Sequence, residues 1–269
     1  MQTPEDKPPP PKDHRTFLRL NSSPSPDGTR VAFGSAKTGN GDIYIMNLDG
    51  SDLKQITSSD DLECAPSWSP DGSQIIYMRE HGNSADTYVY SFATGASELF
   101  AENTWYPIFV SYGKRVLCGD TSSGQMRLAE IDVADKERTF LGATDLAANM
   151  PSVDSGERVM AFCDLDFQVC LGDRRASQYV VLGTGDSPCV SPNGRYVVFL
   201  GEYSVSIKLY DTLTKTTHTI LHTHSRKDRP TFFSDSKRII YLDGDTAGLG
   251  EFHIVNVDGS GDKVIGRNY

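Results

Sequence analysis

Three histidines, His218, His222 and His224, fall at one parity in "HTILHTH". In an extended strand they would share a face, and imidazoles two residues apart can share a metal ion. A metal site also needs a third ligand and outer partners that orient the rings. A half-solvated outer strand carries polar residues without any such purpose, so no metal and no cofactor is expected. "DGDTAG" at 243–248 has three of the alternating positions of a calcium loop but lacks the glutamate that closes one. The many acids raise paired-carboxylate chemistry on glycosides, which depends on a separation that sequence does not give. No Ser–His–Asp or Cys–His set has a usable spacing, and no G-x-S-x-G appears. No catalytic residue is assigned.

Two stretches suit binding instead. "NTWYP" at 103–107 sets two aromatics side by side, and neighbours on a strand cannot both face one side. One of Trp105 and Tyr106 is therefore expected at an open mouth, where an aromatic anchors a ligand. The competing reading packs both beneath a loop as satellite core. "SRKDRP" at 225–230 is a dense basic cluster in which Arg229 offers a bidentate fork to a partner's carboxylate. Its competing reading is a solvated loop that neutralises acids such as Asp243.

The elements that must position these residues repeat along the chain. "SPDG" and its variants recur around Gly28, Gly72, Gly113, Gly156, Gly194 and Ser236, at spacings of 44, 41, 43, 38 and 42 residues. Each unit reads as four short strands, a to d. In the second unit these are "APSWS", "SQIIYMRE", "TYVYSF" and "SELFAE", rich in β-branched and aromatic residues and bounded by turn formers. Within "SPDG", Pro70 presets φ, Asp71 bonds nearby backbone and Gly72 supplies a positive φ. "LDGS" at 48–51 and "VDGS" at 257–260 do similar work between strands c and d. Pro66, Pro107, Pro188 and Pro230 are expected to begin the a strands, and Trp68 and Phe109 to pack between neighbouring sheets. No segment shows a long 3.6-residue period, so little helix is expected. The fold class is all-β: a six-bladed β-propeller of four-stranded antiparallel blades over 16–269, preceded by a proline-rich arm at 1–15. The ring closes either by face packing, with "GDKVIG" as the last blade's own outer strand, or with an outer strand lent by "RTFLRL" at 15–20.

A chain of 269 residues with 26 basic and 36 acidic side chains carries a formal charge of −10, which disfavours nucleic acid as a partner. No apolar run is long enough to insert in a membrane. The start, "MQTPEDKPPPPKDH", lacks the apolar core of a secretory signal. That points to the cytoplasm, or to a periplasmic or secreted protein whose leader has been removed. The five cysteines form no C-x-x-C and are expected as reduced core thiols. A monomer is expected.

The run P-x-W-S-P-D-G-x-x-I-x-Y at 66–77, with "DIYIMNLDGSDLKQIT" at 42–57, resembles the TolB-like propeller repeat. The strongest stretch is 25–79; the other units are degenerate at the turn, with "VSYGKR", "VDSGER" and "SDSKRI". The resemblance implies the propeller fold but not one function, because propellers host unrelated activities. TolB itself is periplasmic, binds a peptidoglycan-associated lipoprotein and colicin peptides through its propeller, and has an extra N-terminal α/β domain that this chain lacks. Similar repeats also accompany prolyl-oligopeptidase-type hydrolases, for whose catalytic domain no chain remains here.

If strand a descends along the channel, the d–a and b–c links share one rim, and that rim is the variable one. Its d–a links bring Glu63, Trp105, Tyr106, Asn149, Asp186, Arg226, Lys227, Asp228 and Arg229. The b–c links add Glu80, His81, Asp120, Asp164, Asp166, Glu202, Asp243 and Asp245. The expected function is a non-catalytic scaffold that recognises a protein, a peptide or a small polar ligand at this rim. Glu63, Trp105, Tyr106, Asn149, Asp186, Arg226, Asp228 and Arg229 are the candidate contacts. The alternative is a hydrolase or lyase acting on a carbohydrate or other polar substrate in the channel mouth.

Overall fold

The computed structural model describes residues 21–37, 39–141, 148–174, 178–201, 204–222, 226–244 and 250–268. Its 24 strands form six sheets in chain order, each antiparallel and each in the sequence a-b-c-d. Blade 1 holds β1 (Ser22–Pro24), β2 (Arg30–Ser35), β3 (Asp42–Asn47) and β4 (Lys54–Gln55). Blade 2 holds β5 (Leu62–Trp68), β6 (Gln74–His81), β7 (Ser84–Ser91) and β8 (Ala96–Ala101). Blade 3 holds β9 (Thr104–Val110), β10 (Arg115–Asp120), β11 (Arg127–Asp132) and β12 (Arg138–Phe140). Blade 4 holds β13 (Ala148–Val153), β14 (Val159–Asp164), β15 (Gln168–Asp173) and β16 (Tyr179–Thr184). Blade 5 holds β17 (Asp186–Val190), β18 (Tyr196–Gly201), β19 (Ser206–Asp211) and β20 (Thr216–His222). Blade 6 holds β21 (Arg226–Phe232), β22 (Arg238–Gly244), β23 (Gly250–Asn256) and β24 (Lys263–Asn268). Among the described residues the sole helical element is a 3-10 turn at Ser111–Gly113.

A blade is apolar on both faces, which is why the b strands read as continuous hydrophobic runs rather than alternating ones. In β6, Ile75, Ile76, Tyr77 and Met78 are all fully buried. Each boundary between blades has its own apolar layer, such as Ala32, Ile45, Trp68 and Ile75 between blades 1 and 2. Trp68 lies there as expected, its indole N–H donating to the Ser23 carbonyl across the boundary at 3.0 Å. The ring closes through the same kind of layer. Val31, Phe33, Tyr44 and Met46 of blade 1 pack against Phe233, Ile240, Leu242, Phe252 and Ile254 of blade 6. The Thr231 hydroxyl also donates to the Ser22 carbonyl at 3.0 Å. Among the described residues all four strands of blade 6 come from its own stretch of chain, with β24 as its outer strand; "RTFLRL" lies outside the described residues.

The "SPDG" turn works as the residue types dictate. The Asp71 Oδ1 accepts the Ser69 hydroxyl at 2.6 Å and the Ser73 backbone N–H at 3.0 Å, and Gly72 takes φ +71°. Blade 4 departs from the expected position. There the left-handed residue is Glu157 (φ 54°), one place after Gly156, because its N–H makes the turn bond to the Asp154 carbonyl.

The a strands correct a second expectation. They begin at Leu62, Thr104, Ala148, Asp186 and Arg226, so the prolines do not start them. Each proline sits in a bulge within the strand, where pairing slips between Cys64 and Ser67 and at the equivalent places in blades 3 to 6. The missing proline N–H costs little there, because the inner edge of strand a has no ladder partner.

Candidate functional site

In blades 2 to 5 the bulge places the residue before the proline in a left-handed conformation. Ala65, Tyr106, Met150 and Ser187 have φ of 54°, 51°, 50° and 53°. These are non-glycine residues next to proline, a combination that sterics disfavour. What the strain achieves is convergence. Ala65, Tyr106 and Met150, from three successive blades, meet in one apolar cluster with Cys64, Met78 and Cys163. The Ser187 hydroxyl continues it, lying 3.9 Å from the Met150 sulfur. None of the four is more than 6% exposed, so this end of the channel is plugged by side chains. Arg229 holds the same bulge position in blade 6, and its charge is felt at the Cys189 thiol of blade 5.

Beside the plug, three buried polar atoms have no hydrogen-bond partner: Glu63 Oε2, Trp105 Nε1 and Asn149 Oδ1. They belong to blades 2, 3 and 4, each within two residues of a plug residue. Glu63 is fully buried, and its other oxygen accepts from Arg79 Nη2 at 2.7 Å and Arg79 Nε at 3.0 Å. The Arg79 guanidinium in turn lies 3.9 Å over the Tyr88 ring. Trp105 is half-buried, packed against the plug and against Gly119. Of the adjacent pair, Tyr106 enters the channel while Trp105 braces it.

The other candidates are placed as follows. Asp186 is half-buried at the start of β17. Arg226, Lys227 and Asp228 lie in the first half of β21, opposite Gly244, Asp243 and Leu242; their side chains are outside what the structure describes, as are Glu202 and Asp245. All the expected d–a contacts are therefore strand residues rather than loop residues.

Two acids of the b–c links, Asp120 and Asp164, are engaged by the fold. Asp120 is buried and accepts from Arg138 Nη1 at 2.5 Å. Asp164 caps its turn by accepting the Asp166 and Gln168 backbone N–H groups at 3.0 and 2.8 Å. His81 and Asp86 pair at 2.7 Å across their own hairpin. The histidine pattern at 218–224 does not hold one face. A bulge at Ile220 sets His218 opposite Leu209 and His222 opposite Ser206, three residues apart on β19, hence on opposite faces; His224 lies outside the described residues. Among the described residues no three His, Cys, Asp or Glu side chains gather as metal ligands.

None of the five cysteines is in a disulfide, and burial pushes the Cys118 and Cys189 thiols up and that of Cys170 to about 11, as for unreactive core residues. No described helix is long and apolar enough to cross a membrane.

Sequence reasoning missed Ala65, Met150 and Ser187 as channel residues. The signal is a repeated X-Pro step in the inner strands of blades 2 to 6, which reads as a strand boundary. It also missed a cleft of about 300 Å³ on the opposite rim, between the a–b turns of blades 2 and 3. A second hollow, about 270 Å³, lies on the outer flank between blades 4 and 5, lined by Lys208 and His218 among others.

Residues 14–169 match the TolB beta propeller domain family. A TolB homolog from Chlorobaculum tepidum is 36% identical over 69 residues, 26% of this chain and 16% of that protein. The Tol-Pal system protein TolB from Desulfosudis oleivorans is 33% identical over 112 residues, 36% of this chain and 26% of that protein. The matched stretches thus span no more than about a quarter of these relatives' length. Among solved structures, TolB from Acinetobacter baumannii superposes with a TM-score of 0.71 at 19% identity, covering 88% of this chain and 63% of that one. An oligogalacturonate lyase in complex with manganese gives 0.59 at 15% identity, covering 94% and 78%. At these identities the structural likeness is one of fold.

Proposed function

The chain belongs to the TolB beta propeller domain family, and from that premise we propose that it is a non-catalytic scaffold that takes a segment of a protein partner at the plugged channel mouth. The observation that carries this reading is the set of unpartnered atoms at Glu63, Trp105 and Asn149. Leaving a buried polar group unmade costs about 1–3 kcal/mol. Two of the atoms are acceptors and one is a donor, a mixed set that paired N–H and C=O groups would match. A peptide main chain carries such pairs. The Desulfosudis relative's place in a Tol-Pal system supports a protein as that partner. Kinship with TolB also favours the periplasmic alternative over the cytoplasm.

The test uses the full chain as bait for a phage-displayed peptide library, followed by binding measurements on the enriched peptides. Trp105→Phe keeps an aromatic ring beside Tyr106 but removes the N–H together with part of the indole's packing. It is expected to weaken the enriched peptides about tenfold, equivalent to losing one hydrogen bond, and to lower the melting temperature slightly, whereas Glu63→Gln is expected to weaken them without removing ring packing. If no peptide is enriched, or if enriched peptides bind Trp105→Phe and Glu63→Gln as well as wild type, this site does not take a peptide.

A further inference from the structure

The cleft on the opposite rim stands where other blades hold a guanidinium. Strand b begins with Arg30 in blade 1, Gln74 in blade 2 and Arg238 in blade 6, each three residues after the turn acids Asp27, Asp71 and Asp235. In blade 6 the Arg238 Nε donates to Asp235 Oδ2 at 2.6 Å, and its guanidinium lies 4.5 Å over the Phe233 ring. In blade 1 the Arg30 guanidinium lies 4.7 Å over Trp68 and 5.5 Å over Phe92, both from the next blade. The position equivalent to Trp68 in blade 3 is Phe109, which lines the cleft together with Asp71, Gln74 and Tyr112. Blade 2 thus has the turn carboxylate and the facing aromatic but puts a neutral glutamine where blades 1 and 6 have arginine.

Two further features mark the place. Asp71 receives Ser69 and Ser73 on Oδ1 alone, and no described cation pairs with it. Tyr112 stands where the other turns put Asp27, Asp71, Asn193 or Asp235, and blade 3 takes its cap from the next blade instead: Glu157 accepts the Ser111 backbone N–H and the Ser111 hydroxyl. Ser111, Tyr112 and Gly113 all have positive φ in this turn, at 53°, 56° and 84°. The side chain at 112 is thereby released from capping, and its ring is 90% exposed. A large aromatic that neither caps its turn nor buries its ring is expected at a binding surface.

We infer that the cleft between the a–b turns of blades 2 and 3 is a receptor for an arginine side chain of a protein partner. The guanidinium lies over Phe109 and Tyr112 and donates to the open Oδ2 of Asp71 and to the Gln74 amide oxygen, combining from outside the stacking on a neighbouring blade that Arg30 makes with the carboxylate contact that Arg238 makes. This surface is on the opposite face from the plugged mouth and does not rest on that reading.

The probes are Nα-acetyl-arginine amide, its neutral isostere Nα-acetyl-citrulline amide, and Nα-acetyl-lysine amide, titrated into the full chain with backbone amide resonances as the readout. The arginine probe is expected to give saturable shifts at Asp71, Gln74 and Gly113. Citrulline should bind about tenfold more weakly, as for loss of one charge-assisted hydrogen bond, and lysine more weakly than arginine because it lacks the stacking plane. Asp71→Asn should abolish the shifts while keeping the turn, since Asn193 makes the same bonds in blade 5. Gln74→Arg should fill the cleft from within, abolishing probe binding with a melting temperature at or above wild type. Absence of saturable shifts, equal binding of citrulline or lysine, or a Gln74→Arg variant that melts lower would each overturn the inference.

Discussion

Arg79→Met is the sharpest probe of the plugged mouth. Glu63 is fully buried, one of its oxygens is held by two Arg79 N–H groups and the other by nothing. Removing the guanidinium leaves both oxygens of a buried carboxylate unmade and also lifts the cation off Tyr88. Breaking one side of such a pair costs about 3–5 kcal/mol. In a chain of this size that is roughly 6–20 °C of melting temperature. Replacing both partners removes the stranded charge, so Glu63→Leu/Arg79→Met is expected to lie within about 1 kcal/mol of wild type. Thermal melts of the single and double variants, followed by strand circular dichroism, read both numbers. If Arg79→Met loses less than about 1 kcal/mol, as exposed pairs do, then water reaches Glu63. In that case the carboxylate is not starved of a donor, and the mouth loses the acceptor on which partner recognition was argued.

Two other outcomes follow from local geometry. Gly72→Val is expected to cost about 1–2 kcal/mol through the left-handed conformation alone, because an added Cβ meets only Pro26 Cδ at 4.0 Å. Gly72→Asn should recover most of that in the same melt, and a clash-sized loss for both variants would show that space rather than φ governs the site. Burial pushes the Tyr77 phenol up to about 12 from an ordinary 10.0. The folded chain therefore holds that proton more tightly than the unfolded one, and stability should fall as pH rises from 10 towards 12. Tyr77→Phe should flatten that fall in urea melts, and an unchanged slope would mean that the phenol is solvated.

The period of about 42 residues was enough to read the architecture, because each blade must bury two faces and says so in its b and c strands. Trp68 was legible for the same reason. The bulges were not. A bulge inserts one residue without changing composition, so Pro66 looked like the start of a strand when it lies inside β5, and His218 and His222 looked cofacial when Ile220 separates them. Trp105 and Tyr106 stand out in the sequence as a pair expected to divide, with one at an open mouth, yet both pack on one apolar cluster, an outcome that depends on the bulge. Glu63 was legible as a rim acid, whereas its buried pairing with Arg79 arises from strand register. Tyr112 was passed over because its turn was counted as a degenerate copy of "SPDG".

Degeneracy is the useful signal in a repeated fold. Where a blade drops a residue that its siblings use, either the fold replaces the interaction or the surface has another use for the space. Blade 5 is of the first kind: Asn193 replaces aspartate and caps the turn in the same way, accepting the Arg195 N–H at 3.0 Å. Blade 4 is also of the first kind, since Asp154 takes over the capping by accepting the Arg158 and Val159 N–H groups at 2.7 Å each. The boundary between blades 2 and 3 is divided. Glu157 of blade 4 replaces the cap of the blade 3 turn by accepting the Ser111 N–H and hydroxyl, whereas Gln74 does not restore the guanidinium that Arg30 supplies one blade earlier. The same logic separates the two uses of left-handed residues. At Ala65, Tyr106, Met150 and Ser187 the strained backbone is repaid by burial that fills the channel. At Ser111 and Tyr112 the backbone is repaid by Glu157, but the exposed Tyr112 ring beside the cleft is not, which is why the contact that ring makes belongs to a partner.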